Sequence, residues 1–246
     1  MLNVSGLSFR YQKNTDTVLD NVNLNINESG IYTILGRNGI GKTTLIKCIL
    51  GLLKPTEGEV LIDGINIHSI KMKDRAKKIS YVSQIISNTS LNVFDYIILG
   101  RIPYMNIRGS RSDYEVVYRI IDRLKLNDIA LKPFNELSGG ERQKVVIARC
   151  LAQESDIIIF DEPTSNLDIN NIINLTSLLN DLLKEENKII LISTQDVSLG
   201  LSLDSKYIIL KDKNVIMKDK NELDISMIKD IFNIENEELL EKYLRR

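Results

Sequence analysis

A glycine-rich segment carries the clearest chemistry in the sequence. The segment GRNGIGKTT, residues 36–44, follows the apolar stretch IYTIL and opens a helix-like segment, KTTLIKCILGLL. Glycines in such a turn let successive backbone N–H groups face a polyphosphate, and the helix that follows adds the positive end of its dipole. The spacing lets Lys42 reach the β- and γ-phosphates and the Thr43 hydroxyl ligate Mg²⁺. We therefore expect a nucleoside triphosphate site here; a glycine turn without a ligand is the alternative.

Two acidic residues stand where another apolar stretch ends. The segment DIIIFDE finishes in Asp161 and Glu162, and Pro163 follows. A buried strand that ends in Asp suits the phosphate turn, because Mg²⁺ needs a carboxylate opposite the phosphate oxygens. We expect Asp161 to hold the ion and Glu162 to act as general base on the attacking water. A general base favours hydrolysis over transfer to a second substrate, whereas two carboxylates that only cap a strand are the structural alternative.

A second glycine pair precedes a long helical segment. In LSGGERQ, residues 137–143, Ser138 can cap the helix, and Gly139 and Gly140 leave backbone N–H groups at the positive end of its dipole. The chain thus has two anion-binding turns but a single lysine-bearing one. A simple helix cap is the alternative explanation for this segment.

The segment IILISTQD, residues 189–196, is an apolar run that stops abruptly in polar residues. This pattern is typical of a strand buried in a parallel sheet, and the chemistry of open α/β sheets takes place where such strands end. Gln195 stands at that end. Its amide can donate to a phosphate and accept from a neighbour, but it cannot titrate.

The elements that would position these residues follow an α/β pattern. Apolar and polar residues alternate over the first thirty positions, which predicts antiparallel strands; short buried strands and helices then alternate. Residues 87–153 are predicted to be helical in NVFDYIILG, DYEVVYRIIDRLK and GERQKVVIARCLAQ. Strands return in DIIIF, IILIS, YIIL and VIM. Residues 225–246 are predicted to be helical, with Glu238–Lys242 and Glu241–Arg245 pairs on a solvated face. A helical insertion therefore interrupts an α/β core.

The composition limits the classes of protein. It is 43% hydrophobic and 26% charged with a net charge of −1, so it gives no support for non-specific nucleic-acid binding. We expect Cys48 and Cys150 to be buried, inert thiols and His68, the sole histidine, to lie at the surface. No secretory signal is visible, and no apolar run approaches the roughly 18 residues that cross a bilayer. We expect a soluble, cytoplasmic protein that serves a membrane only through a partner.

Together these motifs resemble those of the ATP-binding-cassette (ABC) ATPases, whose signature is LSGGQ-like; this chain has LSGGE at residues 137–141. The resemblance covers nearly the whole chain. It implies a P-loop NTPase core with an N-terminal antiparallel β lobe and an inserted α-helical subdomain, all within one domain of residues 1–246. Residues 1–86 and 154–220 would form the α/β core with its β lobe. Residues 87–153 would form the helical signature subdomain, and residues 221–246 a C-terminal helical tail.

The resemblance also implies roles for single residues and a partner. Tyr11, in FRYQ, would stack on adenine; Gln84, in YVSQ, would contact Mg²⁺ and relay to a membrane subunit. Asp168, in SNLD, would bridge two copies of the chain, packed head to tail so that each Ser-Gly-Gly turn faces ATP on the other copy. The catalytic set is Lys42, Glu162 and Gln195, and the metal set is Thr43, Gln84 and Asp161. The nucleotide-binding set is Tyr11, Gly36, Arg37, Asn38, Gly39, Ile40, Gly41, Lys42, Thr43, Thr44, Gln84, Ser138, Gly139, Gly140 and Asp168.

One segment narrows the resemblance further. LNVFDYIILGRIPYMN, residues 91–106, is similar to a segment of importers for iron chelates, haem and cobalamin. It implies an importer ATPase at the cytoplasmic side of the cell membrane, bound to a transmembrane permease and served indirectly by a solute-binding protein. A helix that ends in the basic residue Arg101 before a proline is the alternative.

Gln195 stands where the family usually has a histidine, which implies a slow but competent ATPase. Two other functions stay open: a regulatory or scaffold cassette with weak hydrolysis, and a soluble ABC ATPase that does not serve transport. The second would usually bring two cassettes, long heptads or a basic arm.

Overall fold

The structure is a computed structural model that describes residues 1–12, 16–164, 169–185 and 187–236. The side chains of residues 169 and 182–185 lie outside that description. The strands are β1 (Leu2–Phe9), β2 (Leu19–Ile26), β3 (Gly30–Leu35), β4 (Glu57–Ile62), β5 (Ile65–Asn66), β6 (Ile79–Val82), β7 (Ile157–Asp161), β8 (Ile189–Thr194), β9 (Ser205–Lys211) and β10 (Asn214–Lys218). The α-helices are α1 (Lys42–Ile49), α2 (Met72–Lys78), α3 (Val93–Ile98), α4 (Arg111–Arg123), α5 (Gly139–Ala152), α6 (Ile169–Glu185), α7 (Val197–Ser202) and α8 (Ile225–Phe232). Short 3₁₀ turns cover Leu99–Arg101, Asn127–Ile129, Phe134–Glu136 and Lys220–Glu222.

The chain separates into two compact units. The first consists of Met1–Ile70 and the chain from Leu175 on, and the second is Lys71–Asn174. The sequence-based boundaries at residues 87 and 153 differ, because the second unit also contains β6 and β7. The assignment of one cassette domain with an inserted subdomain stays a prediction.

The first unit contains an antiparallel sheet and a largely parallel one. The antiparallel strands lie in the order β2, β1, β4, β5, which confirms the prediction from the alternating N-terminal sequence. In the other sheet β3 lies between β8 and β9 and is parallel to both, while β10 forms an antiparallel hairpin with β9. All six residues of β8 are buried, as the unbroken apolar run predicted for a strand covered on both faces.

Helix α8 closes part of the first unit's core. Its buried residue Ile231 packs with Leu35 of β3 and with Tyr207 and Ile209 of β9. The predicted C-terminal helix is therefore confirmed over Ile225–Phe232. The Glu238–Lys242 and Glu241–Arg245 pairs lie outside the described residues.

The second unit is mainly helical, with β6 and β7 as a parallel pair. Helices α3, α4 and α5 occupy the three segments predicted to be helical. Helix α4 begins with a capping box in which Ser110 and Asp113 satisfy each other's backbone N–H groups. Among the helices of the described residues, none is long and apolar enough to cross a membrane.

The LGR segment, Leu99–Arg101, binds α4 and the end of α5 together through the side chain of Arg101. A side chain on Gly100 would collide with the carbonyl oxygen of Arg149, so the 3₁₀ turn lies directly against α5. The buried Arg101 donates from Nε to Asp113 at 3.1 Å and from Nη1 to Glu154 at 2.7 Å and to the Ala152 carbonyl at 2.8 Å. This sequence motif thus has a packing role at the end of α5, beyond a helix end with a basic residue.

The residues predicted to be inert are placed as expected. Cys48 in α1 and Cys150 in α5 are both buried free thiols. Burial raises the pKa of Cys48 to about 12, so that thiol stays protonated at neutral pH. His68 is exposed, as predicted.

Candidate functional site

The glycine-rich segment forms the turn between β3 and α1 in the first unit. Gly39 (φ 75°) and Gly41 (φ 117°) lie in the left-handed region that favours glycine. A Cβ on Gly36 would lie 2.8 Å from the carbonyl oxygen of Leu210 in β9, so the turn leaves the sheet too close to β9 for a side chain. The glycines are therefore required by this backbone path.

The start of α1 suits an anion. Gly41, the residue that precedes the helix, has no side chain that could cap it, and the first turn, which is fully described, holds no acidic residue. Among the described residues nothing lies within 4 Å of the place where a Cβ on Gly39 would stand, which leaves space beside the turn. Exposed N–H groups at the positive end of a helix bind phosphate.

Lys42 lies at the centre of this turn. Its Nζ donates to the carbonyl oxygens of Gly36 at 2.7 Å and Arg37 at 3.1 Å, and the residue is 5% exposed. The ammonium group is thus held over the turn where phosphates would lie. This placement fits its predicted role.

Tyr11 lies beside the same helix start. Its hydroxyl and the Thr44 hydroxyl are 3.0 Å apart and share a hydrogen bond, and its ring meets the edge of Phe9 at 5.0 Å. Tyr11 remains 58% exposed, so a flat surface is available next to the phosphate turn. Stacking on adenine stays a prediction that this position supports.

Gln195 is held on a tight turn after β8. The hydroxyl of Thr194 accepts a hydrogen bond from the Asp196 N–H at 2.9 Å, and the Asp196 carboxylate caps α7 through the N–H groups of Ser198 and Leu199. Gln195 between them is exposed. Its backbone is fixed on both sides while its amide faces solvent.

The acidic pair lies in the second unit at the end of β7. Asp161 is 1% exposed and Glu162 is 9% exposed. Glu162 has φ 50°, which is uncommon for a residue with a side chain and turns the chain sharply after the strand. Val82, the last residue of β6, pairs with Phe160 of β7, so Gln84 lies just beyond one strand end and Asp161 at the neighbouring one; Gln84 is exposed.

Tyr81 is a residue that the sequence reasoning missed. Its hydroxyl donates to Asp161 Oδ2 at 3.2 Å. Burial raises the pKa of Tyr81, and the charge of Asp161 and this hydrogen bond raise it further, so the phenol stays a donor. Tyr81 therefore orients the carboxylate predicted to hold Mg²⁺. Its place three residues before Gln84 was the available signal.

The Ser-Gly-Gly turn begins α5 as predicted. Ser138 and Glu141 form a capping box: the Ser138 hydroxyl and backbone N–H both donate to the Glu141 carboxylate, at 2.7 Å and 2.8 Å. These two hydrogen bonds, the hydroxyl first, lower the pKa of Glu141. The structural alternative of a helix cap is thus also correct.

Two contacts tie this turn to its surroundings in the second unit. The Asn171 amide of α6 occupies the space that a side chain on Gly140 would fill, so this glycine lets the amide lie directly against the turn. The buried Gln143 donates to the carbonyl oxygen of Pro163 at 3.2 Å, one residue beyond Glu162. Sequence reasoning missed both contacts, since neither partner lies near in sequence.

The predicted site residues thus fall into two groups. The first unit brings together Lys42, the phosphate turn, Tyr11 and Gln195. The second unit holds Gln84, Asp161 and Glu162 at two neighbouring strand ends, and it also contains the Ser-Gly-Gly turn at the start of α5. Asp168 lies outside the described residues. The oxygen ligands predicted for Mg²⁺, those of Thr43, Gln84 and Asp161, are of the type that this ion prefers.

Comparison with known sequences finds relatives that are named as ATP-binding proteins of transporters. The model of the family described as ABC transporter matches residues 19–165. An uncharacterized ABC transporter ATP-binding protein of Methanocaldococcus jannaschii is 40% identical over 212 residues, which cover 86% of this chain and 83% of that protein. A probable siderophore transport system ATP-binding protein of Bacillus subtilis is 34% identical over 222 residues (88% and 81%). A cobalamin import ATP-binding protein of Halobacterium salinarum is 32% identical over 196 residues (79% and 49%).

Solved structures show the same fold. A transporter in an inward-facing conformation, described as of the metal-chelate ABC type, has a TM-score of 0.82 at 30% identity and covers 94% of this chain and 88% of its own. A dimeric ATP-binding cassette in a post-hydrolysis state, bound to ADP and Pi, has a TM-score of 0.79 at 30% identity (91% and 100%).

Proposed function

The chain belongs to the ABC transporter family as an ATP-binding protein, and from that premise we propose that it hydrolyses ATP to drive an importer for a metal chelate. The cargo would be of the iron–siderophore, haem or cobalamin type. It would pass through a separate transmembrane permease on whose cytoplasmic side two copies of this chain bind, and a solute-binding protein would deliver it. The observation that carries the proposal is the glycine turn at the start of α1, over which the ammonium group of Lys42 is held.

The reaction divides among the two groups of site residues. The phosphate turn and Lys42 bind the triphosphate, and Tyr11 supports the adenine. Glu162 accepts a proton from the water whose oxygen attacks the γ-phosphorus, while the bond from that phosphorus to the bridging oxygen breaks and ADP leaves. Gln195 donates from its amide to the γ-phosphate. Thr43, Gln84 and Asp161 would hold Mg²⁺, which would neutralise negative charge on the phosphates.

A surface cavity in the second unit supports docking on a permease. It has a volume of about 250 Å³ and is lined by residues of the stretch 83–99 and of α5. The family resemblance implies that the segment from Gln84 to about Asn106 faces the permease. Ile85 and Leu99 on its lining are 80% and 37% exposed, and the guanidinium of Arg149 lies 5.1 Å from the centre of the Tyr96 ring. The cavity therefore offers apolar contacts and one cation. A short permease helix with apolar side chains and a carboxylate complements it.

Co-purification tests this function. The full-length chain, expressed with a candidate metal-chelate permease from the same genome, is expected to purify as a membrane complex with ATPase activity. Leu99→Glu places a charge in the cavity and is expected to abolish co-purification while ATP binding persists. Ile107→Glu is the matched control, because Ile107 is 98% exposed and is not part of the cavity lining. Recovery of RNA or ribosomes in place of a membrane protein would contradict the importer proposal.

A regulatory or scaffold cassette is the second candidate, and it rests on Gln195 alone. Such a protein would bind ATP and its partner without measurable turnover. The turnover of the assembled complex therefore distinguishes the two functions.

A further inference from the structure

Helix α8 contacts residues that adjoin two loops of the nucleotide site. Ile231 packs on Leu35, the last residue of β3 before the phosphate turn. Ile228 packs on Val197, two residues beyond Gln195. These contacts all lie within the first unit. One helix therefore packs beside the base of the turn that holds phosphates and beside the turn that carries Gln195.

The end of α8 reaches the phosphate turn directly. The helix ends at Asn233, whose backbone lies in the left-handed region (φ 54°, ψ 48°) and whose N–H donates to the Lys229 carbonyl. The N–H of Ile234 donates to the same carbonyl at 2.9 Å. With its amide oriented to satisfy both neighbours, Asn233 accepts from Arg37 Nη1 at 2.6 Å and donates to the Asp230 carbonyl at 3.2 Å.

Arg37 connects this contact to Lys42. Its side chain is bound by Asn233, while its own carbonyl oxygen accepts from Lys42 Nζ at 3.1 Å. A bound phosphate would compete with that carbonyl for the lysine ammonium, and the turn would then lose one of its internal hydrogen bonds. The Arg37–Asn233 bond is independent of Lys42 and keeps its donor and acceptor in place.

We propose that Asn233 is a positioning residue of the nucleotide site, which holds Arg37 and thereby fixes the phosphate turn before ATP arrives. This inference rests on the proposed function, since it requires that the turn bind ATP. A turn that is already ordered loses less conformational freedom on binding, so affinity rises without a new contact to the ligand. The C-terminal helix thus contributes to nucleotide affinity from outside the signature motifs.

The test measures ATP affinity by calorimetry on the full-length chain with Mg²⁺, together with the melting temperature. Asn233→Gly keeps the left-handed conformation and removes the amide, and we expect its Kd for ATP to rise about three- to tenfold. Asn233→Asp keeps an acceptor for Arg37, and we expect its Kd for ATP to stay within about twofold of the wild-type value. In Asn233→Gly combined with Arg37→Ala, the Kd is expected to match that of Arg37→Ala alone, as it does for two residues acting through one contact.

Asp230→Asn is the matched control on the same helix. It breaks the exposed Lys211–Asp230 ion pair, 2.5 Å long, and leaves Asn233 in place, so ATP affinity is expected to stay at the wild-type value. A purely structural role for Asn233 predicts a lower melting temperature with unchanged Kd in Asn233→Gly, and that result would overturn the inference. Wild-type protein that binds no ATP would instead contradict the proposed function itself.

Discussion

Leu35 of β3 and Thr194 of β8 are direct partners in a parallel register. The next residues along the two strands are Gly36, which begins the phosphate turn, and Gln195. The carboxyl ends of neighbouring parallel strands meet at one edge of a sheet, so both loops leave the sheet side by side. Gln195 therefore lies at the edge of the sheet where Lys42 holds the turn, as its sequence position after an apolar run predicted.

Gln195→His is expected to raise ATP turnover. A histidine adds a charge-assisted hydrogen bond to the γ-phosphate, worth about 1–2 kcal/mol or roughly 5- to 30-fold in rate. The measurement is steady-state turnover of the permease complex. Since histidine titrates near pH 6.5, the gain is expected to diminish as the pH rises above about 7. Equal turnover of both forms, together with undiminished turnover in Gln195→Ala, would show that this position takes no part in the reaction.

Glu162→Gln is expected to slow hydrolysis by about 10²–10⁴-fold, because the general base is lost while the shape of the side chain is kept. ATP should still bind. With ATP and Mg²⁺ the variant is therefore expected to accumulate as a dimer, seen by light scattering during gel filtration. Lys42→Ala, which loses the phosphate contact, should stay monomeric under the same conditions. A Glu162→Gln protein that remains a monomer even beside its permease would rule out the head-to-tail dimer.

Tyr81→Phe removes the hydroxyl that orients Asp161 and leaves the ring in place. Loss of a partner that orients a metal ligand typically weakens the metal site by about 10- to 100-fold, so the Mg²⁺ concentration for half-maximal ATPase activity should rise about tenfold. Tyr32→Phe is the control, because the Tyr32 hydroxyl donates at 3.0 Å to the Glu28 carbonyl and to none of the predicted site residues. Identical Mg²⁺ dependence in wild type and Tyr81→Phe would exclude this role.

Arg101→Met is expected to lower the free energy of unfolding by about 3–5 kcal/mol, because it leaves a buried carboxylate without its cation. The Arg101 and Asp113 side chains are only 6% and 4% exposed. Urea denaturation measures the change. Arg111→Ala breaks the Arg111–Glu115 pair, whose side chains are 94% and 63% exposed. It should change the free energy of unfolding by less than about 0.5 kcal/mol. An equal decrease in both variants would contradict the proposed contribution of the buried Arg101–Asp113 pair.

Acidification is expected to destabilise the protein through Asp113. Burial alone would raise the pKa of this carboxyl, but hydrogen bonds from Ser110 and Arg101 and the charge of Arg101 lower it overall. A group with a depressed pKa stabilises the fold above its unfolded value, about 3.9, and that contribution is lost as the pH falls toward the folded value. Urea denaturation from pH 6 to about 3 should give a shallower decline for Asp113→Asn than for wild type. Parallel curves would assign the acid sensitivity to other carboxylates.

Local sequence patterns determined the individual elements and the main motifs. The phosphate turn, the Ser138 cap and the buried strand IILIS depend on glycine geometry, side-chain capping and unbroken apolar runs, which act within a few residues. The family resemblance followed from these motifs. For this reason the sequence predicted most of the strands and the helices α1, α3, α4, α5 and α8, whereas no segment was named for α2, α6 or α7.

The tertiary structure decided which distant residues meet. Tyr81 on Asp161, Arg101 on Asp113 and Glu154, and Asn233 on Arg37 each join different elements. No local pattern encodes such pairs, because they arise from sheet register and from the way helices pack on strands. The sequence by itself determined what the turns can bind. The packing of the chain decided which side chains hold those turns and the acidic residues in place.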